Sequence, residues 1–307
     1  MTQNHDVAVI GEIYVDHVFS GFPSWPEPGE EVTTEAYTRE MGGGAAATAC
    51  GLARLGRSVA LVGLVGADDI AWFRERLERH GLSDSGLRIG EGATGTTISV
   101  STASDRSFFT HVGVNRGIGA LAAGDALPVL LSARHVHFAM PIPREVADIV
   151  LPALSAKGIT TSLDMGYQPE WLADPANFAT LSAVDHLMPN EMEAKLLCGS
   201  TETGAYFERA AALGLPHPML KLGARGAAAL EHGQVIQAAP PPVTAVDATG
   251  AGDAFDAGFI DGVLDGLDAA GRLQRGCITG ALSTRKPGAL AAIPDRQELR
   301  TVHEQYY

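Results

Sequence analysis

Short apolar segments alternate with amphipathic helical segments along most of this chain, and this alternation restricts its fold more than any other feature. Six segments have the length and apolar character of buried strands: residues 7–11, 58–63, 135–138, 159–164, 186–188 and 219–222. The segments with apolar residues at helical spacing are 45–55, 70–80, 144–156, 191–198 and 208–213. Alternating strands and helices predict an α/β fold with a mainly parallel sheet that is covered by helices on both faces.

Two regions interrupt this alternation. Residues 32–39, and residues 96–102 together with 106–110, alternate polar residues with apolar or β-branched ones and have no helix between them. Such segments are typical of a small β structure with one face open to water. The sequence therefore predicts a single domain over residues 1–307, from which a β lid formed by about residues 12–40 and 94–112 projects.

Composition excludes several classes of protein. Hydrophobic residues make up 46% of the 307 residues and charged residues 19%, which is enough for a sizeable core and argues against a disordered chain. The net charge of −14 argues against a nucleic-acid partner, because phosphate backbones need clustered Lys and Arg. The three cysteines are widely spaced, and neither a leader nor a membrane-spanning run is visible. We therefore expect a soluble, cytoplasmic protein that contacts no membrane.

The most informative motif is a glycine-rich turn. Gly250, Ala251 and Gly252 precede Asp253, and apolar residues follow at helical spacing, so a loop with unhindered N–H groups opens into a helix. Such a helix start binds phosphate or a developing oxyanion. A carboxylate there would repel phosphate, so its expected role is to take the proton from a hydroxyl that attacks the phosphate. The alternative interpretation is an ordinary glycine turn with a capping aspartate.

Residues 246–259 resemble the C-terminal signature of the ribokinase-like (PfkB) carbohydrate kinases, from which Ala248 and Asp256 depart. Four further segments extend the resemblance over essentially the whole chain: residues 7–16, 42–56, 189–194 and 220–226. The resemblance implies a ribokinase-like three-layer α/β/α fold with a mainly parallel central sheet and a small β lid. It also implies a kinase that uses ATP, with Asp253 as general base and the amides of residues 250–252 as anion hole.

The resemblance also assigns residues to the nucleotide side of the site. The implied cofactor-binding residues are Asn190, Glu193, Lys221, Gly223, Gly226 and Thr249. The family uses the Asn190 and Glu193 pair, mostly through water, to place Mg²⁺, whereas without the resemblance the pair is typical of a helix N-cap and a solvated glutamate. Asp247 and Thr249 match positions that hold a monovalent cation, so potassium is a further expected cofactor. The alternative for Asp247 is a side-chain hydrogen bond that organises the turn.

On the acceptor side, the resemblance implies that Asp16, Gly42 and Gly43 bind the sugar. A carboxylate accepts hydroxyl protons, and glycines allow close approach to the backbone. Ala47 occupies the position where the family usually has an Asn whose amide binds a sugar hydroxyl. The expected acceptor is therefore smaller, differently hydroxylated or partly apolar, unless the neighbouring Thr48 supplies the contact.

These features together predict an ATP-dependent sugar kinase that transfers the γ-phosphate to a hydroxyl, preferably primary, of a small carbohydrate. The lid is also a candidate contact for a homodimer. One alternative is a nucleoside kinase of the same family, and another is a catalytically silent sugar-binding or regulatory protein. A nicotinamide dehydrogenase is excluded, because the only G-x-G-x-x-G match, at residues 90–95, precedes a strand instead of opening a helix.

Overall fold

A central sheet of six parallel strands organises the chain, which is described by a computed structural model over residues 4–102 and 106–307. The strand order is β10-β9-β8-β1-β4-β5. These strands are β1 (His5–Gly11), β4 (Val59–Val65), β5 (Ser83–Ile89), β8 (Ala133–Ala139), β9 (Thr160–Leu163) and β10 (His186–Leu187). Five of the six predicted strands lie in this sheet, which confirms the prediction of a parallel arrangement.

Helices cover both faces of this sheet because successive side chains of a strand point to opposite sides. In β1, Ala8 and Ile10 pack in one buried cluster, whereas Val7 and Val9 pack in another. The described helices are α1 (Gly44–Arg54), α2 (Ile70–Arg79), α3 (Ile118–Ala123), α4 (Leu127–Leu130), α5 (Arg144–Ser155), α6 (Pro169–Ala173), α7 (Phe178–Ala183), α8 (Glu191–Cys198), α9 (Thr203–Ala212), α10 (Ala251–Leu264), α11 (Ala269–Ser283) and α12 (Arg296–Tyr306). Helices α3, α5 and α9 pack on the first face, and α1, α2 and α10 on the second, which gives three layers.

A four-stranded sheet forms the small lid, in the order β3-β2-β6-β7. Its strands are β2 (Tyr14–Phe22), β3 (Ala36–Gly42), β6 (Gly95–Thr102) and β7 (Arg106–His111). The pairing is antiparallel except between β2 and β6, which run parallel. The alternation had indicated three of these strands but not β2, the strand in the middle of the lid that carries Asp16.

The third sheet corrects one sequence-based prediction. Residues 219–222 do not join the central sheet; β11 (Met219–Lys221) pairs antiparallel with β12 (Ala227–Glu231), which pairs with β13 (Gln234–Ala238). A single parallel bridge between Asn190 and Lys221 connects β11 to the chain that follows β10. None of the helices in the described part of the chain has both the length and the apolar character needed to cross a membrane.

A buried ionic cluster fastens the C-terminal helices to the core. The carboxylate of Asp261 in α10 is fully buried. It accepts hydrogen bonds from Arg57 at 2.6 Å and from Arg296 Nη1 at 2.8 Å, and it forms an ion pair with Arg275 of α11. Asp265, one turn further along α10, pairs with Arg57 at 2.5 Å and with Arg275 at 2.6 Å. The cluster therefore links α10 to α11, to α12 and to the turn before β4.

Candidate active site

A cavity of about 240 Å³ opens at the carboxyl ends of three neighbouring strands of the central sheet. Glu12 follows β1, Met140 follows β8, and Asp164 and Met165 follow β9, and all four residues line the cavity. Asp253 closes it from the side of α10. In parallel α/β sheets the carboxyl ends of the strands are the usual place for a ligand, so this position favours a substrate site.

The glycine turn forms the N-terminus of α10, as its sequence predicted. Gly250 is the N-cap residue and has φ 73°, in the left-handed region that glycine tolerates best. A β-carbon at this position would lie 2.5 Å from the β-carbon of Ala289, so the facing loop also requires a glycine. The exposed Gly252 and the preceding Ala251 begin the helix without a side-chain cap. No side chain competes for these N–H groups; the Ala251 N–H donates to the Ala248 carbonyl oxygen at 3.1 Å, and the exposed Gly252 N–H can bind an anion.

Asp253 lies in the first turn of α10 and points toward the start of α1. A β-carbon added to Gly44 would come within 2.8 Å of Asp253 Oδ1, so the missing side chain leaves room for the carboxylate. Burial, together with the negative charge of Asp164, raises the pKa of Asp253 to about 7. A carboxylate with a pKa near neutrality is well matched to accept a proton from an alcohol in the transition state.

Asp16 on lid strand β2 occupies the space beside Gly42. A β-carbon on Gly42 would overlap the Asp16 carboxyl group at 2.1 Å, and Gly43 adopts φ 93° with its missing side chain 2.3 Å from the Glu12 carbonyl oxygen. Burial, together with the charge of Glu40, raises the pKa of Asp16 to about 6. The structure thus brings the residues predicted to bind the sugar to the same three-residue turn, 42–44, against which Asp253 also lies.

Ala47 and Thr48 are buried in α1. The Thr48 hydroxyl donates a hydrogen bond to the backbone carbonyl oxygen of Asp253 at 3.2 Å. Thr48 therefore stabilises the position of α10 against α1, and its role as a sugar ligand in place of the family's asparagine stays a prediction.

A buried ion cluster that sequence reasoning missed lies behind Asp253. The Lys221 ammonium donates to Asp164 Oδ2 at 2.6 Å and to Asp256 Oδ1 at 3.1 Å. Burial opposes the charged form of Lys221, but the two carboxylates outweigh burial and raise its pKa above the ordinary value. Carboxylate oxygens of Asp164, Asp253 and Asp256 lie within 4.8 Å of one another. The departure of Asp256 from the family pattern was the available sequence signal for this cluster.

Asn190 and Glu193 form a complete capping box at the start of α8. The Asn190 side chain accepts from the Glu193 N–H at 3.0 Å, and Glu193 Oε2 accepts from the Asn190 N–H at 2.9 Å. Glu193 is buried instead of solvated, and burial, together with the charge of Asp164, raises its pKa. The pair therefore has a structural role in the cap and also adds a carboxylate to the electrostatics of the site.

A second cavity, of about 570 Å³, lies on the other side of the α10 N-terminus. Lys221, Gly223, Gly226, Ala251 and Gly252 line it, together with an apolar wall of residues 239–243 and the α11 residues 277, 280, 281 and 284. Asn190, Glu193 and Thr249 are not among its lining residues. Three of the six residues predicted on the nucleotide side thus share one cavity with the glycine turn.

Asp247 connects the glycine turn to the facing loop. Its Oδ1 accepts hydrogen bonds from the Thr249 N–H at 2.9 Å and from the Thr249 hydroxyl at 2.6 Å. Its Oδ2 accepts from the Gly288 N–H at 2.9 Å. These bonds organise the turn, as the alternative interpretation of Asp247 had predicted, and they place two carboxylate oxygens between the two loops.

Comparison with known proteins agrees with this geometry. The profile described as pfkB family carbohydrate kinase matches residues 4–296. Ribokinase from Haemophilus influenzae is 28% identical over 302 residues, covering 95% of this chain and 96% of the relative. ATP-dependent ribose-1-phosphate kinase from Halopiger xanaduensis is 33% identical over 275 residues, covering 87% and 88% of the two chains. The solved structure of Arabidopsis thaliana ribokinase with ribose and ATP superimposes with a TM-score of 0.85, 24% identity and 99% coverage of both chains.

The chain therefore belongs to the PfkB family of carbohydrate kinases. It has the ribokinase-like fold, and it is a kinase, a phosphotransferase with an alcohol group as acceptor.

Proposed function

We propose that this protein transfers the γ-phosphate of ATP to a hydroxyl, preferably a primary one, of a small carbohydrate. One observation carries the proposal: consecutive residues at the start of α10 line two different cavities. Ala251 and Gly252 line the larger cavity, and Asp253 lines the smaller one at the strand ends. A phosphoryl group held at the helix N-terminus is then one residue away from a carboxylate that faces the acceptor.

In the proposed reaction, the acceptor oxygen attacks the γ-phosphorus while Asp253 takes the hydroxyl proton, and ADP leaves on the opposite side. The amides of Gly250, Ala251 and Gly252 stabilise negative charge on the transferring group, since glycine and alanine allow close backbone approach. Asp16 orients the acceptor from the lid through its carboxylate. Lys221 lines the larger cavity and donates to Asp164, which lines the smaller one. A β-carbon added to Gly252 would lie 3.7 Å from Lys221 Nζ.

The carboxylates around Asp253 fit a magnesium ion. Asp164 and Asp256 belong to the group whose carboxylate oxygens lie within 4.8 Å of one another, and the nearby charge of Glu193 also acts on Asp253. Carboxylate oxygens are the hard donors that Mg²⁺ prefers, either directly or through water. When bound, Mg²⁺ would neutralise charge on the nucleotide phosphates. Asp164 and Asp256 also hold Lys221, so Glu193 is the carboxylate of this group with no ion pair to a described lysine or arginine.

The nucleoside alternative also has an observation in its favour. Tyr14, Met140, Pro141 and Met165 give the acceptor cavity an apolar side on which a planar base could pack.

The exposed lid residues Trp25, Tyr37, Phe108 and Phe109 are apolar side chains that a second copy would cover, and we propose the lid as the contact of a homodimer.

The proposed function is tested by measuring ADP release from ATP-Mg across pentoses, hexoses, polyols, sugar acids and nucleosides. We expect saturable ADP release that depends on at least one of these acceptors. Tight binding of a sugar with no ADP release from any acceptor would instead support the silent sugar-binding alternative. A nucleoside as the best acceptor would establish the second candidate.

We propose a potassium site at Asp247 and Thr249, next to the glycine turn. The two Asp247 oxygens lie between the turn and the loop at Gly288, and a monovalent cation there would stabilise the loops that carry the anion hole. We expect ADP release to be faster in potassium chloride than in tetramethylammonium chloride at equal ionic strength. Equal rates in the two salts would contradict this site.

A further inference from the structure

We propose that the acceptor of this kinase carries no anionic group: the site selects neutral or aminated polyols and rejects sugar acids and sugar phosphates. This inference rests on the proposed function, because it concerns the same acceptor cavity. It follows from the sign and the pairing of the charges that surround this cavity.

The charged side chains that line the acceptor cavity are carboxylates, and a further one, Asp16, lies on the lid nearby. Glu12, Asp164 and Asp253 line the cavity, and their backbone positions are the ends of β1 and β9 and the start of α10. On the lid, Asp16 lies next to Glu40, its register partner on β3. Neither Asp16 nor Asp253 has an ion-pair partner among the described lysines and arginines, whose pairs involve other carboxylates.

Two described cations near the cavity already have carboxylate partners. The Lys221 ammonium lies 2.6 Å from Asp164 Oδ2 and 3.1 Å from Asp256 Oδ1, so two negative charges balance it. Arg39 precedes Glu40 but extends from the opposite face of β3, where it pairs with Asp69 at 2.6 Å and stacks on Trp72 at 4.4 Å. Within the described chain, no lysine or arginine except Lys221 lines either cavity.

Two helix N-termini add positive potential: that of α10, which the proposed function assigns to the transferring phosphoryl group, and that of α1. This helix begins at Gly44, which lines the cavity, but Asp253 Oδ1 occupies the adjacent space, 2.8 Å from the position of a Gly44 β-carbon. The Asp253 carboxylate therefore lies beside the start of α1, where it would repel a bound anion. Among the described residues no unpaired lysine or arginine lines the cavity, so an anionic acceptor would meet the carboxylates of Glu12, Asp16 and Asp253 without a described side chain of opposite charge to bind it.

The same carboxylates that repel an anion favour the binding of hydroxyl and ammonium groups. An ionised carboxylate only accepts hydrogen bonds, so Glu12, Asp16 and Asp253 favour ligand groups that donate, even though Glu12 also accepts from the Tyr14 hydroxyl. A polyol supplies one donor per hydroxyl, and an ammonium supplies three donors together with a compensating charge. The site thus selects its acceptor both by repelling anions and by binding hydrogen-bond donors.

The experiment compares three acceptors that differ only at one end: gluconate, sorbitol and glucamine, which carry a carboxylate, a hydroxymethyl and an aminomethyl group. Ribose and ribose 1-phosphate form a second matched pair. In whichever of these two sets contains a substrate, we expect kcat/KM of the anionic acceptor, gluconate or ribose 1-phosphate, to be at least about 100-fold lower than that of its neutral partner, sorbitol or ribose. The physical reason is that unpaired like charges oppose binding. The aminated polyol is expected to be used at least as well as the neutral one.

A matched pair of variants tests the cause. Gln168 is a neutral and exposed residue that lines the cavity, and we assign it no role in the transfer step. Gln168→Arg is expected to raise the anionic-to-neutral ratio of kcat/KM by about tenfold or more, because it adds the missing positive charge. Gln168→Met, which has similar length and no charge, is expected to leave this ratio unchanged.

The outcomes separate the two proposals. An anionic acceptor used as well as its neutral partner would overturn the inference and leave the kinase assignment intact. If no acceptor yields ADP, the proposed function fails, and calorimetric binding of the same acceptors decides the inference. The inference about the acceptor would be overturned if the anion bound as tightly as its neutral partner, or if none of these acceptors bound.

Discussion

Replacing Asp253 by asparagine is expected to lower kcat by about 10²-fold or more, the contribution typical of a general base. Asparagine keeps the size of the side chain but cannot take the proton from the acceptor hydroxyl. Binding of ATP is expected to remain close to that of the unmodified protein, because the cavity on the nucleotide side is lined by Ala251 and Gly252 and not by Asp253. The measurement is steady-state ADP release together with calorimetric titration of ATP-Mg.

The pH dependence gives a second readout of the same residue. Since burial raises the pKa of Asp253 to about 7, the base is protonated below that pH, and kcat/KM is expected to fall as the pH is lowered through 7. Asp253→Asn should lose this acid limb. Asp268→Asn is the control, because Asp268 caps α11 through Gly271 and asparagine is an equally good cap. Near-normal turnover of Asp253→Asn would remove Asp253 from its role.

The second large effect concerns stability. Asp261→Asn is expected to lower the free energy of unfolding by about 3 kcal/mol, because it removes the buried charge that Arg57, Arg275 and Arg296 share. This is the lower end of the range for a broken buried pair, since Asp265 remains as a partner and the three arginines keep some solvent exposure. The measurement is the midpoint and slope of urea denaturation.

A surface ion pair supplies the control for this measurement. Arg74 and Asp84 are 3.0 Å apart, and each side chain is more than half exposed, at 58% and 51%. Asp84→Asn is therefore expected to cost less than about 1 kcal/mol. A loss for Asp261→Asn no larger than that of the control would show that the arginines find equivalent partners without Asp261.

The fold could be predicted where apolar periodicity is strong. Strand β4 and residues 7–11 of β1 are buried and form continuous apolar runs, and the prediction of a parallel sheet was confirmed. Strands β8 and β9 are largely buried as well, although they include His135, His137, Thr161 and Ser162. Strand β5 was missed because it lies at an edge of the sheet, and Ser83–Ile89 contains mainly polar residues with buried and exposed positions in no regular alternation. Residues 219–222 have the same apolar character as a central strand, and sequence alone does not state which neighbour such a strand pairs with.

In the site, residues that are close in sequence could be predicted together, whereas contacts between residues far apart in sequence could not. The glycine turn and Asp253 are adjacent in sequence, so a motif identifies them together. Asp164 and Lys221 are 57 residues apart, and only the tertiary fold brings their charges to 2.6 Å. Sequence alone also could not decide whether Asn190 and Glu193 cap a helix or help to place a metal ion. In the structure the same two side chains form the capping box and lie near the charges of the site, so one role does not exclude the other.

The way the two cavities meet at α10 has a consequence for how such an enzyme can change. The anion-binding amides and the base are successive residues of one helix, which advances about 1.5 Å per residue, so their spacing is set by covalent geometry. The walls of the acceptor cavity come from the separate ends of β1, β8 and β9, at Glu12, Met140 and Asp164. Substitutions at the end of one strand can therefore change which sugar binds without moving the other walls of the cavity. The distance between the anion-binding amides and the base stays the same, because both lie on one helix.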